Sequence, residues 1–272
     1  MNISTSCFKE YAKVVKVKFT RDKDANTLVV EDIGCADLNH FIPLIKRYAF
    51  QKNIAKISLK IKESEAVYFF QHGFKVEASI LAYYGLEDAL YLTYYLQASH
   101  KNNQFSDAQD AILNSSFEVE HKTNITELKQ TIKVFSGYCN FHSESKHQLA
   151  FTGREMPQQH AIASNKFYAQ INNKTVASAK CHYCEEQQVV EFSDFFVDLS
   201  VDPHTVIHYL LYEMAQYYAS IDCITAYTIV PASSLIINAI CVENDFEFGG
   251  RLTNESVCKG QLESLNTWYK QL

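Results

Sequence analysis

Between residues 26 and 96 the apolar positions switch back and forth between two periods. "NTLVVEDIG" is a short, nearly continuous apolar run, as a buried strand requires. "DLNHFIPLIKRYAFQKN" then sets Leu38, Phe41, Ile45 and Tyr48 on one helical stripe, with Asp37 as N-cap and Pro43 expected to kink the first turns. The strand "IAKISLKI", the helix "SEAVYFFQHG" closed by Gly73, and the strands "FKVEASI" and "ALYLTYYL" follow. The same order returns later. It runs strand "VVEFSDFFV", helix Pro203 to Ser220, strand "DCITAYTIV", helix "SSLIINAICVEN", then strands "FEFGGRL" and "QLESLNTWYKQL". "FFQHGF" and "CVENDF" stand at equivalent joints, each leading a helix end into a strand that begins with Phe. Strand–helix–strand–helix–strand–strand written twice reads as an internal repeat, or as two α/β units alike by chance.

Upstream of the second copy, "NITELKQTIKVFSGY" carries a helical face at Ile125, Leu128, Ile132 and Phe135. "NKFYAQINNKTVASAKCHYCEEQQVVEFSDFFV" alternates as a three-stranded meander turning at "INNK" and "EEQQ". The polar stretch "QASHKNNQFSDAQDAILNSS" has no strong period at its start and reads as a linker. The pattern predicts an α/β chain with a mixed sheet and helices on both faces. Its domains are residues 1–98 and 118–272, joined by a linker over 99–117.

Composition narrows the class. Of 272 residues, 47% are hydrophobic and 21% charged, and Gly and Pro are scarce, which fits a globular chain and not a low-complexity one. No apolar run is long enough for a membrane span and the start carries no signal-peptide core, so a cytoplasmic protein without a membrane partner is expected. The eight cysteines follow no disulfide framework. In "CHYC", Cys181 and Cys184 fall three apart on a strand and point to opposite faces, as structural thiols. Cys139, His142 and His147 lack a recognisable ligand spacing, so no metal is expected. Residues 1–62 hold 12 Lys+Arg against 6 Asp+Glu, but without the motif of a nucleic-acid module they read as a solvated basic face, and no nucleic-acid partner is expected.

Three segments carry a resemblance. "EFSDFFVDL", "AYTIVPASSLIINAICVENDFEFGGRLTNES" and above all "GQLESLNTWYKQL" resemble the C-terminal region of the beta-lysine N-acetyltransferases, within the GNAT acyltransferase superfamily. "AKISLKIKESEAVYFFQHGFKVEASILAYYGLEDALYLTYYL" resembles that family's N-terminal domain, and the likeness is weakest over 97–165. It implies a GNAT acyltransferase fold over 118–272, preceded by a smaller domain like half a GNAT fold. It further implies transfer of acetyl from acetyl-CoA to the amine of a small amino acid or diamine such as β-lysine, and it leaves a homodimer open.

Residue by residue, the resemblance makes Glu191 the general base, with Asp194 and Glu263 on the substrate side holding an ammonium. It makes Val197 the backbone partner of the pantetheine arm and turns Asn238 toward the coenzyme. Cys241 stands where the superfamily has an acid tyrosine; a buried, inert thiol is the other reading of that position. For Glu191 and Asp194 the other reading is a pair of solvated strand-end carboxylates, and for Asn238 a capping or core-edge amide.

One turn departs from the pattern. The superfamily's Arg/Gln-x-x-Gly-x-Gly/Ala becomes Asp202-Pro203-His204-Thr205-Val206-Ile207. The resemblance would seat a diphosphate on the amides of His204, Thr205, Val206 and Ile207. Asp202 and Pro203 instead make an excellent helix start, and a capping carboxylate competes for the same N–H groups. Between Cys181 and Gly250 the chain holds no Lys or Arg against eleven Asp and Glu, a field that draws a diamine and repels a polyphosphate. Two functions stay open: an N-acetyltransferase with a remodelled coenzyme loop, or a catalytically silent GNAT fold that binds a small cationic ligand or a protein partner.

Overall fold

The computed structural model describes residues 5–119, 124–137, 148–153 and 164–272. The chain divides into two compact units, residues 1–104 with 250–264, and residues 105–249 with 265–272.

The first unit opens with α1 (Thr5–Val14), β1 (Lys18–Asp22), β2 (Thr27–Asp32), α2 (Leu38–Gln51) and β3 (Lys56–Lys62). A single 3-10 turn leads to α3 (Ala66–Phe70), and β4 (Lys75–Ile80), β5 (Ala89–Tyr95) and α4 (Ala98–Lys101) follow. The basic first segment opens in a helix. Phe8 and Ala12, four apart, bury one face of α1, and Phe8 stacks 4.6 Å from the ring of Tyr48 on α2. Asp37 caps α2 by accepting from the Asn39 amide, and the helix runs through Pro43 without a break. β2 and β3 are parallel, while β5 lies antiparallel between β3 and β4.

The second unit supplies α5 (Ser106–Glu118), α6 (Ile125–Thr131), β6 (Ile132–Ser136), β7 (Gln148–Phe151), β8 (Ser164–Ile171), β9 (Lys174–Cys184), β10 (Val189–Asp198), α7 (Pro203–Ala219), β11 (Thr225–Pro231) and α8 (Leu235–Glu243). The closing hairpin is β12 (Glu247–Cys258) and β13 (Gln261–Gln271), whose turn-side halves, 250–264, belong to the first unit. Two expectations change here. The polar stretch after residue 97 holds α4 and α5 in place of an extended linker, and α5 packs on α8 with Phe117 5.8 Å from the Trp268 ring. The helix expected through Phe135 ends at Thr131, because the Ile132–Ser136 run pairs as a strand with β8. Asn172 and Asn173, both at positive φ, form the tight turn between β8 and β9.

The repeat is visible in topology. In one copy the sheet order is β2-β3-β5-β4, in the other β10-β11-β13-β12, each with a parallel pair followed by an inserted hairpin. The core of the second unit lies on one face of its strands. There Phe192, Phe195, Val197 and Trp268 meet Ile207 and Leu210 of α7 and Ile240 of α8.

Candidate active site

Val190 and Phe192 enter that core, so Glu191 between them projects from the opposite face of β10. It is buried, and a buried carboxylate must find a partner. Its Oε2 accepts from the Tyr227 hydroxyl at 2.9 Å, across the parallel β10–β11 register that sets the two residues side by side. On the other flank its antiparallel partner is His182 of β9. Tyr227 was invisible to local pattern because it lies 36 residues downstream.

Asp194 occupies a bulge. Ser193 pairs with Lys180 and Phe196 with Ser178, so Asp194 and Phe195 together oppose a single residue of β9. Asp194 takes the left-handed conformation (φ 50°), which a short polar side chain tolerates. Its carboxylate binds Lys180 Nζ at 2.5 Å, a partner absent from the sequence reading. An ammonium ligand of Asp194 would therefore share it with Lys180. Glu263, the other substrate-side candidate, belongs to the first unit, where it is half-buried.

The α7 turn is closed by its own cap. Asp202 accepts from the Thr205 amide at 2.8 Å and from the Thr205 hydroxyl, while the Val206 amide bonds the Asp202 carbonyl at 3.2 Å. Burial pulls the Asp202 carboxyl upward, but the Thr205 hydrogen bonds prevail and hold it below the usual carboxylate range. The His204 ring turns to Glu243 of α8, 3.0 Å away, and stacks parallel with His208. Val206 and Ile207 point into the core.

The remaining coenzyme-side candidates are engaged inside the fold. Asn238 donates to the carbonyls of Pro231 and Ser234 and accepts from Asn266 Nδ2 and Trp268 Nε1, both at 2.9 Å. That places it as a core amide and not one turned outward. Cys241 is buried among apolar side chains, and burial pushes its thiol far up, as the inert reading of that position expects. Val197 is fully buried, paired with Ala177 of β9 on one edge and with Leu149 of β7 on the other. The Thr205 amide in the first turn of α7 and the Phe195–Asp198 edge of β10 are thus both engaged within the chain.

Among the described residues no group of His, Cys, Asp and Glu is placed to hold a metal, and no helix is long and apolar enough to cross a membrane. Cys139, His142 and His147 lie outside the described residues.

Comparison with known proteins sets the class. No family model matches the chain. Two curated relatives align with it over 245 residues, and both are N-acetyltransferases. Over most of its length the chain is thus similar to N-acetyltransferases. More narrowly, it is similar to the beta-lysine N(6)-acetyltransferase of Methanococcus maripaludis, at 24% identity across 86% of this chain and 89% of that protein. N-acetyltransferase YodP of Bacillus subtilis is 20% identical across 85% and 87%. Among solved structures, a RimL ribosomal L7/L12 alpha-N-protein acetyltransferase in complex with coenzyme A overlaps at a TM-score of 0.38 and 13% identity. The overlap covers 40% of this chain and 62% of that one, less than two thirds of its length.

Proposed function

We propose that the protein moves an acetyl group from acetyl-CoA to the amine of a small diamine or amino acid, with β-lysine, named for its archaeal relative, as the leading acceptor. The observation that carries this reading is the buried Glu191–Tyr227 pair on the face of β10 away from the helical core. Only a neutral amine is a nucleophile, so a carboxylate must take its proton. Tyr227 fixes one oxygen of Glu191, which leaves Oε1 as the atom to receive that proton. The excess of carboxylates between Cys181 and Gly250 favours a dicationic acceptor over a neutral one.

Glu191→Gln keeps the shape and the Tyr227 contact but removes the base. Its kcat should fall by about 10²–10⁴, the range of general-base catalysis, with little change in KM for the amine. Steady-state kinetics on a panel of diamines checks this, and wild-type kinetics in the variant would remove the assignment.

A second reading has one observation in its favour, the carboxylate cap on α7. In that reading the fold binds a small cation without turning it over. Calorimetry separates the two: heat from a diamine, with none from acetyl-CoA and no acetylated product, supports the silent fold.

A further inference from the structure

In the second unit the β10–β11 pair opens, and the chain fills the opening itself. Val189–Phe192 pair in parallel with Thr225–Thr228, and the register stops there. From Phe195 to Asp198 this edge of β10 pairs antiparallel with β7, Phe195 with Phe151 through Asp198 with Gln148. The other edge keeps β9, with Phe196 against Ser178 and Val197 against Ala177. Two residues beyond β7, Gly153 presses on β11. A β-carbon there would stand 1.9 Å from the Ile229 carbonyl oxygen, so only glycine fits. β7 and Gly153 thus lie between the two strands, beginning four residues past Glu191 on β10 and two past Tyr227 on β11.

β7 is a weak element in a valuable place. It is four residues long and, among the described residues, pairs with β10 alone. Strands so short, held on one edge, contribute little independent stability. Its side-chain hold is uneven: Phe151 enters the core and Leu149 packs against it, while Gln148 is half-buried and Ala150 is exposed. The hydrogen bonds that β10 gives it are those any extended, amide-bearing chain can accept and return. The arm of coenzyme A is such a chain, and its reacting end must come close to Glu191.

We propose that β7 is a self-supplied strand that competes with the acyl donor for the Phe195–Asp198 edge of β10, so that donor binding requires β7 to leave. The proposal rests on the acetyltransferase reading above. It makes the closed site an autoinhibited state, in which apparent donor affinity is reduced by the fraction of molecules with β7 in place.

Hydrogen exchange read by mass spectrometry on the full chain, with and without saturating coenzyme A, tests it. Coenzyme A should expose the amides of 148–151 while those of 195–198 stay protected. Gly153→Ala, whose added methyl drives the segment off β11, should bind coenzyme A at least about 10-fold more tightly than wild type, since the occluded fraction is removed. Coenzyme A bound to wild type with 148–151 still protected would overturn the proposal, as would Gly153→Ala binding no tighter. If acetyl transfer persists in either case, the enzyme reading stands and only the competing strand falls. If neither protein binds millimolar coenzyme A, both fall together. The wild-type exchange result decides the matter even where Gly153→Ala fails to fold.

Discussion

Asn238 sits at the centre of four hydrogen bonds, joining the end of β11 and the start of α8 to Asn266 and Trp268 of β13. Truncation to Ala would strand the buried Trp268 N–H and the Asn266 amide, so Asn238→Ala should cost about 2–4 kcal/mol in denaturant unfolding, from unsatisfied donors plus lost packing. Its residue type was legible as polar and its segment as a helix, but the pairing with Trp268 spans 30 residues and no local pattern encodes it. Glu191 and Asp194 show the same limit. A regular strand puts residues three apart on opposite faces, but the bulge at Asp194 inserts an extra residue and hands its carboxylate to Lys180. Tyr227→Phe leaves Glu191 without its fixed hydrogen bond. We expect kcat to drop about 10-fold with unchanged amine KM, the size of one hydrogen bond to a charged group, read by steady-state kinetics.

Elements with local punctuation were legible. Asp202 and Pro203 announce the start of α7, Asp37 that of α2, and Gly73, at φ 83°, the end of the short helix region after β3. α5 and the α6–β6 junction were not, because over a few residues apolar spacing fits both the helix and strand periods. The α7 cap makes a prediction with a definite sign. The Asp202 carboxyl lies below its ordinary range, so its contribution to stability is complete above the unfolded value of about 3.9 and is lost as pH falls through the lower folded one. Asp202→Asn should flatten that part of the acid-unfolding profile, keep an acceptor on the Thr205 amide, and hold stability at pH 7 within about 1 kcal/mol. Removing the charge should also tighten coenzyme A binding, which a titration of the variant reads directly. A profile identical to wild type would mean that the cap carries no charge-dependent stabilisation.

At the scale of the molecule, the twofold repeat and the mixed α/β class were written in the order of periods, whereas ion networks were not. In the first unit Lys56 is fully buried, with Glu77 at 3.0 Å, Glu255 at 2.7 Å and the Thr253 carbonyl at 2.5 Å. Glu255 lies on the β12 segment that folds into that unit, far away in sequence, so nothing near Lys56 foretold it. Removing one partner of a buried ion group leaves uncompensated charge, and Lys56→Met should lose about 3–5 kcal/mol in denaturant unfolding. Loss well under 1 kcal/mol would mean that the two carboxylates relax into solvent or share a proton. Acetyl transfer itself is tested most directly by one measurement. Purified wild type and Glu191→Gln are each incubated with acetyl-CoA and β-lysine or a diamine, and acetylated amine is quantified by mass spectrometry. The account predicts product from wild type and at least about 100-fold less from the variant. Equal product from both, or none from wild type with any amine tried, would contradict it.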